Sequence, residues 1–291
     1  MKRDVLFFLL FSSTLFALPE QGEVAAGCAE FIAIDTNTLQ IVTSDKAIIN
    51  YPSFQIGRDE HVSFLQPSSK STVLNRVTGK DPSQILGQLS GNGKVFLVNP
   101  QGIYFGPHAK VNVGSFIVST LNIRDEDFIH ENYRFFLEPG SEGSAVINEG
   151  AIRASPEGFI ALMSPHIENR GSIIAKAEKV ILAAAERVTL DFAGDGLMQF
   201  TVEGDIKDAL IENYGKIESS QGAVHLSMPA AKKAIKTVVN TEGVELAADI
   251  VEEGGIIRLV GASEIKAPYV AVDGERVDVG GVVDASGERG R

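Results

Sequence analysis

Apolar and polar residues alternate with period two in several short stretches of this chain. Ser53-Phe54-Gln55-Ile56 and His61-Val62-Ser63-Phe64 each turn one set of side chains to a core and the other to solvent, and Thr38-Leu39-Gln40-Ile41-Val42-Thr43 is rich in β-formers. The residue types are strand formers, and the pattern predicts short strands. Farther on the pattern is denser. Val95-Phe96-Leu97-Val98 runs into Asn99-Pro100-Gln101-Gly102, then Ile103-Tyr104-Phe105 ends at Gly106-Pro107. Asn-Pro begins a turn, and Gly permits positive φ. Two short strands around a tight corner cannot bury both faces unaided. Such corners imply a coiled β architecture in which each is repeated and stacked.

The repeat becomes visible after residue 146. Val146-Ile147-Asn148-Glu149-Gly150-Ala151-Ile152 is echoed at His166–Ile173 as His-Ile-Glu-Asn-Arg-Gly-Ser-Ile, and again at Leu210–Ile217 as Leu-Ile-Glu-Asn-Tyr-Gly-Lys-Ile. Looser copies follow at Val239–Val244 and Val279–Ala285. Gly150 and Gly171 are 21 residues apart, and Gly171 and Gly215 are 44 apart, close to two such periods. Gly215 and Gly243 are 28 apart, which implies an insertion in one coil. A period near 21 with Asn-x-Gly corners suits a parallel β-helix with one coil per repeat. The Asn can bond its own backbone or stack on the Asn of the next coil. No six-residue period and no regular leucine lattice is present, which excludes the hexapeptide helix and the leucine-rich repeat. The length predicts roughly a dozen coils and a rod of roughly 50–60 Å.

Two segments depart from this pattern. Asp81-Pro82-Ser83-Gln84-Ile85 predicts a short helix or a turn. Residues 124–142 open with the charged Arg124-Asp125-Glu126-Asp127, contain the strand-like Tyr133-Arg134-Phe135-Phe136-Leu137 and end at Pro139-Gly140. They predict an excursion from the repeating body, a hairpin or a short helix plus strand, with an ordinary surface loop as the alternative.

Composition narrows the function classes. The chain has 291 residues, 29 Gly, no Trp, one Cys and a formal net charge of −12. Such a charge disfavours nucleic acid and anionic lipid as partners, because both need clustered Lys and Arg. Residues 1–17 carry Lys2 and Arg3 before a short apolar run and end on Ala17. That is the layout of a secretory signal peptide, too short to cross a membrane stably. The single Cys28 excludes an intramolecular disulfide; it is expected in a strand, without lipidation.

Candidate chemistry is sparse. The five His are scattered without metal-ligand spacing, so no metal or cofactor is expected. Gly91-Asn92-Gly93 lacks the Gly-Lys-Ser/Thr that a nucleotide loop requires. Asp125-Glu126-Asp127 and Glu252-Glu253 read as solvated charge runs. A polysaccharide lyase on a β-helix would need carboxylates beside a basic residue on one face. Asp191, Asp195 and Arg187 form the one group to consider, and turn chemistry explains them better. The chain is therefore not expected to be an enzyme, with the lyase as the alternative.

A collinear stretch of about a hundred residues carries a family likeness. It begins near Leu18-Pro19 and runs through Ile49–Gly57, Val62–Ser68, Leu74-Asn75-Arg76-Val77-Thr78-Gly79, Asp81–Ile85 and Gly93–Ile103 to Val111–Gly114 and Ser119-Thr120. In these residues the chain resembles the secretion domain of two-partner secretion exoproteins, the filamentous haemagglutinins, haemolysins and related adhesins. The family tetrapeptide Asn-Pro-Asn-Gly appears here with Gln101 in third place, its companion Asn-Pro-Asn-Leu is not found, and Tyr51 stands where the family often has Trp.

The resemblance implies an all-β fold, a right-handed parallel β-helix with an N-terminal cap and an extra-helical hairpin. Together with the residue reading it gives a signal peptide at 1–17, the cap and secretion module at 18–123, the excursion at 124–142 and continuing coils at 143–291, whose open last rung is expected of a truncated product, a fragment or a short stand-alone member. It implies export through the periplasm of a Gram-negative-type bacterium to the cell surface or medium. The implied partner is an outer-membrane β-barrel transporter with POTRA (polypeptide-transport-associated) domains, with a host glycan or protein as receptor of an adhesin. Asn75, Arg76, Asn99, Pro100, Gln101 and Gly102 are the expected partner-recognition residues; a purely turn-forming role for 99–102 is the alternative.

Overall fold

The computed structural model describes residues 18–19, 22–176, 179–192, 198–203, 209–219 and 223–227. It also describes strands Ile235–Thr237, Leu246–Ala247, Ile256–Leu259, Glu264–Lys266, Tyr269–Asp273, Arg276–Val279 and Val282–Asp284, with Ala285. These residues wind into a parallel β-helix with three faces. One coil shows the plan: Lys94–Val98 lies on the first face, Ile103–Phe105 on the second and Lys110–Val113 on the third. The next coil repeats it with Ser115–Ser119, Ala145–Asn148 and Ala151–Ala154, each parallel to its predecessor. The start of the rod is closed differently. Glu23–Ala26 and Ala29–Ala33 lie antiparallel on Ala47–Tyr51 and Thr38–Thr43 and form a cap.

Inward positions stack in apolar rows. Val73, Val95, Phe116, Ile160, Val180 and Val224 succeed one another on the first face, and all are buried. Each such side chain gains about 1.5–3 kcal/mol on leaving water. The third face alternates buried and exposed positions, as at Lys110–Val113. The first face does not. Its outward row of Ile48, Leu74, Phe96, Ile117, Ala161 and Ile181 is buried as well. A strand buried on both faces reads as an unbroken apolar run, which accounts for Val95–Val98.

The cover over that row is a second, antiparallel sheet outside the helix. Asn122–Ile123, Arg134–Phe136, Arg187–Phe192 and Met198–Glu203 pair in sequence, and a one-turn helix, Asp125–Ile129, sits beside them. Phe128, Tyr133, Phe135, Val188, Leu190 and Val202 close a second core on the first face. The molecule therefore has two cores that share one sheet.

This sheet changes the coil count. Asn169 pairs directly with Asn213, so the 44-residue gap is one coil carrying Arg187–Glu203, not two coils. Eight strands, from Ala47–Tyr51 to Tyr269–Asp273, stack parallel in succession on the first face among the described residues, fewer than the dozen expected. The expected repeat at 239–244 lies outside the described residues, and Ile256–Leu259 is the strand stacked on Leu210–Asn213. Ser83–Ile85 is a strand of the second face rather than the predicted helix or turn; residues 78–82 make the corner before it. Ser53–Ile56 keeps its alternation but only Ile56 bridges, to Ile85. There the side chain of Gln55 replaces the ladder, donating to Pro82 O (3.0 Å) and accepting from Gln84 N (2.7 Å). Cys28 is exposed at the corner between the two cap strands, not within a strand.

The Asn-x-Gly corner is explained by close approach. A Cβ on Gly171 would stand 2.0 Å from Gly150 O, and one on Gly215 would stand 2.1 Å from Gly171 O. Neither glycine needs a positive φ; stacked turns simply leave no room for a side chain. Asn148, Asn169 and Asn213 form a buried ladder above Phe105, with Nδ2 of one donating to Oδ1 of the next at 2.8 and 2.7 Å.

Candidate functional site

The six expected recognition residues fall into two neighbouring groups around the junction of the first and second faces. Asn99 follows directly on strand Lys94–Val98 and is fully buried. Its Nδ2 donates to Asp81 O and to Ser83 Oγ, both at 3.0 Å, and its Oδ1 accepts from Gln101 N at 2.9 Å. Gly102 N donates to Asn99 O at 3.1 Å and closes the turn. Gly102 has φ +123°, so here glycine is required by the backbone itself. Pro100 and Gly102 are buried, and Gln101 alone points to solvent. Asn99 thus ties its corner to the preceding coil, and the turn presents one side chain.

Asn75 and Arg76 lie one rung below. Asn75 sits in an inward row among apolar neighbours. It is satisfied by Tyr51, whose hydroxyl donates to Asn75 Oδ1 (3.2 Å), and by Phe96 O, which accepts from Asn75 Nδ2 (3.1 Å). Burial pushes the Tyr51 phenol far above its ordinary range, so it stays a donor. Arg76 faces outward and spans the seam between helix and excursion. Its guanidinium pairs with Asp125 Oδ1 at 2.7 Å and donates to Ile123 O at 2.6 Å, to Asn122 Oδ1 at 3.1 Å and to Asn50 Oδ1 at 3.3 Å. Its side chain is 12% exposed. Lys46 makes a second clasp, donating to Ile129 O and pairing with Glu131, each at 3.1 Å.

The geometry therefore sorts the six. Asn75, Asn99, Pro100 and Gly102 shape the wall, Arg76 anchors the excursion, and Gln101 faces solvent. Sequence reasoning missed the residues that hold them: Tyr51, Ser83 and Asp125. Asp125 read as part of a solvated charge run because its partner is 49 residues away, and no sequence signal links the two.

Other chemistry is scarce. Asp191 is exposed in a strand opposite Gln199, not in a turn, Arg187 pairs with Glu203, and Asp195 lies outside the described residues. Among the described residues no three His, Cys, Asp or Glu gather as a metal site, and no helix is long and apolar enough to cross a membrane.

The family profile of the TPS secretion domain matches residues 19–279. This chain belongs to the TPS secretion domain family. Two relatives from Haemophilus influenzae, each named heme/hemopexin-binding protein, are 30% identical over 240 residues and 29% over 224. The alignments cover 74% and 75% of this chain. The chain spans about a quarter of the length of these relatives (25% and 24%). The crystal structure of the HMW1 secretion domain from Haemophilus influenzae superposes with a TM-score of 0.71 at 26% identity, over 94% of this chain and 75% of that one. TPS exoproteins are secreted through an outer-membrane transporter, and the TPS domain is the module by which they are known.

Proposed function

We propose that this chain is the secretion module of an exported exoprotein. A leader within residues 1–17, which lie outside the described residues, delivers it to the periplasm. There the POTRA domains of a cognate outer-membrane β-barrel transporter capture it, and outside the cell its capped rungs seed the stacking of further coils. The observation that carries this reading is the TPS match across 19–279 on a β-helix closed by an antiparallel cap. Each rung added to a preformed one gains backbone hydrogen bonds and apolar burial without a new nucleus. A free Cys28 and no disulfide suit passage as an extended chain.

Within the module, Gln101 is the recognised side chain, and Asn75, Arg76, Asn99, Pro100 and Gly102 hold its platform. Gln101→Ala is expected to keep the fold and weaken binding to purified POTRA domains. Asn99→Ala strips three hydrogen bonds from the corner and is expected to lose about 1–3 kcal/mol of stability as well. Circular dichroism with titration binding reads both. If both variants fold and bind as the parent does, the corner is not the recognised surface. A role as an adhesin for a host glycan or protein rests on family likeness alone, and no contact among the described residues favours it.

A further inference from the structure

The N-terminal end of the rod carries an open β-edge. Ala29–Ala33 pairs with Thr38–Thr43 on one side, and no described strand pairs with its other side. The bonds Ser44 N to Cys28 O and Ile34 N to Thr38 O, both 2.9 Å, fix the phase of this hairpin. Even-numbered residues bond inward. The N–H and C=O groups of Ala29, Phe31 and Ala33 therefore face the open side. Phe31 lies opposite Ile41 and edge-on to Tyr51 with centroids 6.4 Å apart, closing the inner core while staying 36% exposed. Ile34 is 56% exposed and Val24 36%. An open, partly apolar edge invites another strand, and proteins ordinarily blunt such edges with Lys, Pro or a bulge. No Lys, Pro or bulge lies in Ala29–Ala33.

Charge selects the occupant. From Leu18 to Asp45 the chain holds Glu20, Glu23, Glu30, Asp35 and Asp45 and not one Lys or Arg. Glu23, Glu30 and Asp35 are exposed around the edge. Hydrogen bonds from the Asn37 backbone, and next from Thr38, hold the Asp35 carboxyl below its ordinary value, so it is charged throughout the neutral range. A second copy of this edge would set carboxylates against carboxylates. A strand carrying Lys or Arg would be drawn in.

We propose that Ala29–Ala33 is a docking edge for an extended strand of the transporter's periplasmic domains, apolar where it meets Phe31 and basic where it meets Glu30. This rests on the transporter reading given above and adds a second contact to it. The Asn99–Gly102 corner lies about three rungs higher, roughly 15 Å along the axis, within the span of one small domain. The added strand would extend the third face by main-chain bonds.

The test uses Ala33→Pro. This change removes an outward N–H that the ladder does not use, at an edge where proline is tolerated. The variant is expected to keep the dichroism and melting of the parent, and to bind purified periplasmic domains roughly tenfold more weakly, as loss of a main-chain bond implies. Glu30→Lys should weaken binding and flatten its salt dependence. Hydrogen exchange on the parent complex should show new protection at Ala29, Phe31 and Ala33, and this readout decides the matter if the proline variant fails to fold. A parent chain that does not bind at all overturns the transporter reading itself. Normal binding by a folded Ala33→Pro, or no new protection at the edge, overturns the docking edge alone. Concentration-dependent dimerisation abolished by Ala33→Pro would assign the edge to a second copy and overturn the heterologous partner.

Discussion

Phe96→Ala is expected to cost about 3–5 kcal/mol and to free the excursion while the helix interior survives. Phe96 is fully buried and points out of the first face, not into the helix. Its ring meets Phe128 edge-on at 5.2 Å and stacks on Tyr133 at 5.3 Å and on Phe135 at 6.4 Å. Removing it leaves a cavity in the middle of the outer core, where the polar ties between the two layers are chiefly the Arg76–Asp125 and Lys46–Glu131 pairs. Glu131 is exposed and Lys46 half-buried, so that pair contributes little by itself. Urea unfolding reads the total loss, and hydrogen exchange locates it. Amides of Arg134–Phe136 and Arg187–Leu190 should lose protection, and those of Lys110–Val113 should keep theirs. Equal loss on every face would mean that the outer core is not a separable layer.

Asn169→Ala is expected to lose about 3 kcal/mol or more, although it removes only a small surface. Asn169 is the middle of the buried ladder. Without it, Asn148 Nδ2 has no acceptor and Asn213 Oδ1 no donor, and each orphaned buried group costs about 1–3 kcal/mol. Replacing all three asparagines with Leu should recover only part of the loss: Phe105 already fills the same position one rung below, but Gly150 N, which donates to Asn148 Oδ1 at 3.1 Å, is left without that acceptor. The comparison separates orphaned polar groups from lost packing. If the single and triple replacements unfold at the same urea concentration as the parent, the amides contribute nothing to holding the rungs in register.

The solenoid was legible because its corners repeat chemically. Asn148-x-Gly150, Asn169-x-Gly171 and Asn213-x-Gly215 mark successive rungs, and the structure stacks all three. The miscount of coils has a physical origin. Arg187–Phe192 and Met198–Glu203 alternate apolar and polar residues just as rung strands do, so a hairpin outside the helix has the periodicity of a coil within it. The second core did leave a trace. Val95–Val98, Phe116–Val118, Ile160–Met163 and Val180–Ala185 are unbroken apolar runs, whereas His61–Leu65 and Lys110–Val113 alternate. Period-two strands need one covered face; unbroken ones need two. At the recognition corner, Asn99 and Gly102 were visible as turn formers. That Asn99 is spent on Asp81 and Ser83, leaving Gln101 to face outward, depends on a neighbouring coil that local sequence does not encode.

Export dependent on a cognate transporter is the claim on which the functional account stands. The direct measurement is to express residues 1–291 in a Gram-negative host with and without the two-partner transporter and to assay the medium and the periplasm. The account predicts protein in the medium only when the transporter is present, and periplasmic retention or degradation otherwise. Equal amounts in the medium in both cases, or none in the medium with a functional transporter, would contradict it.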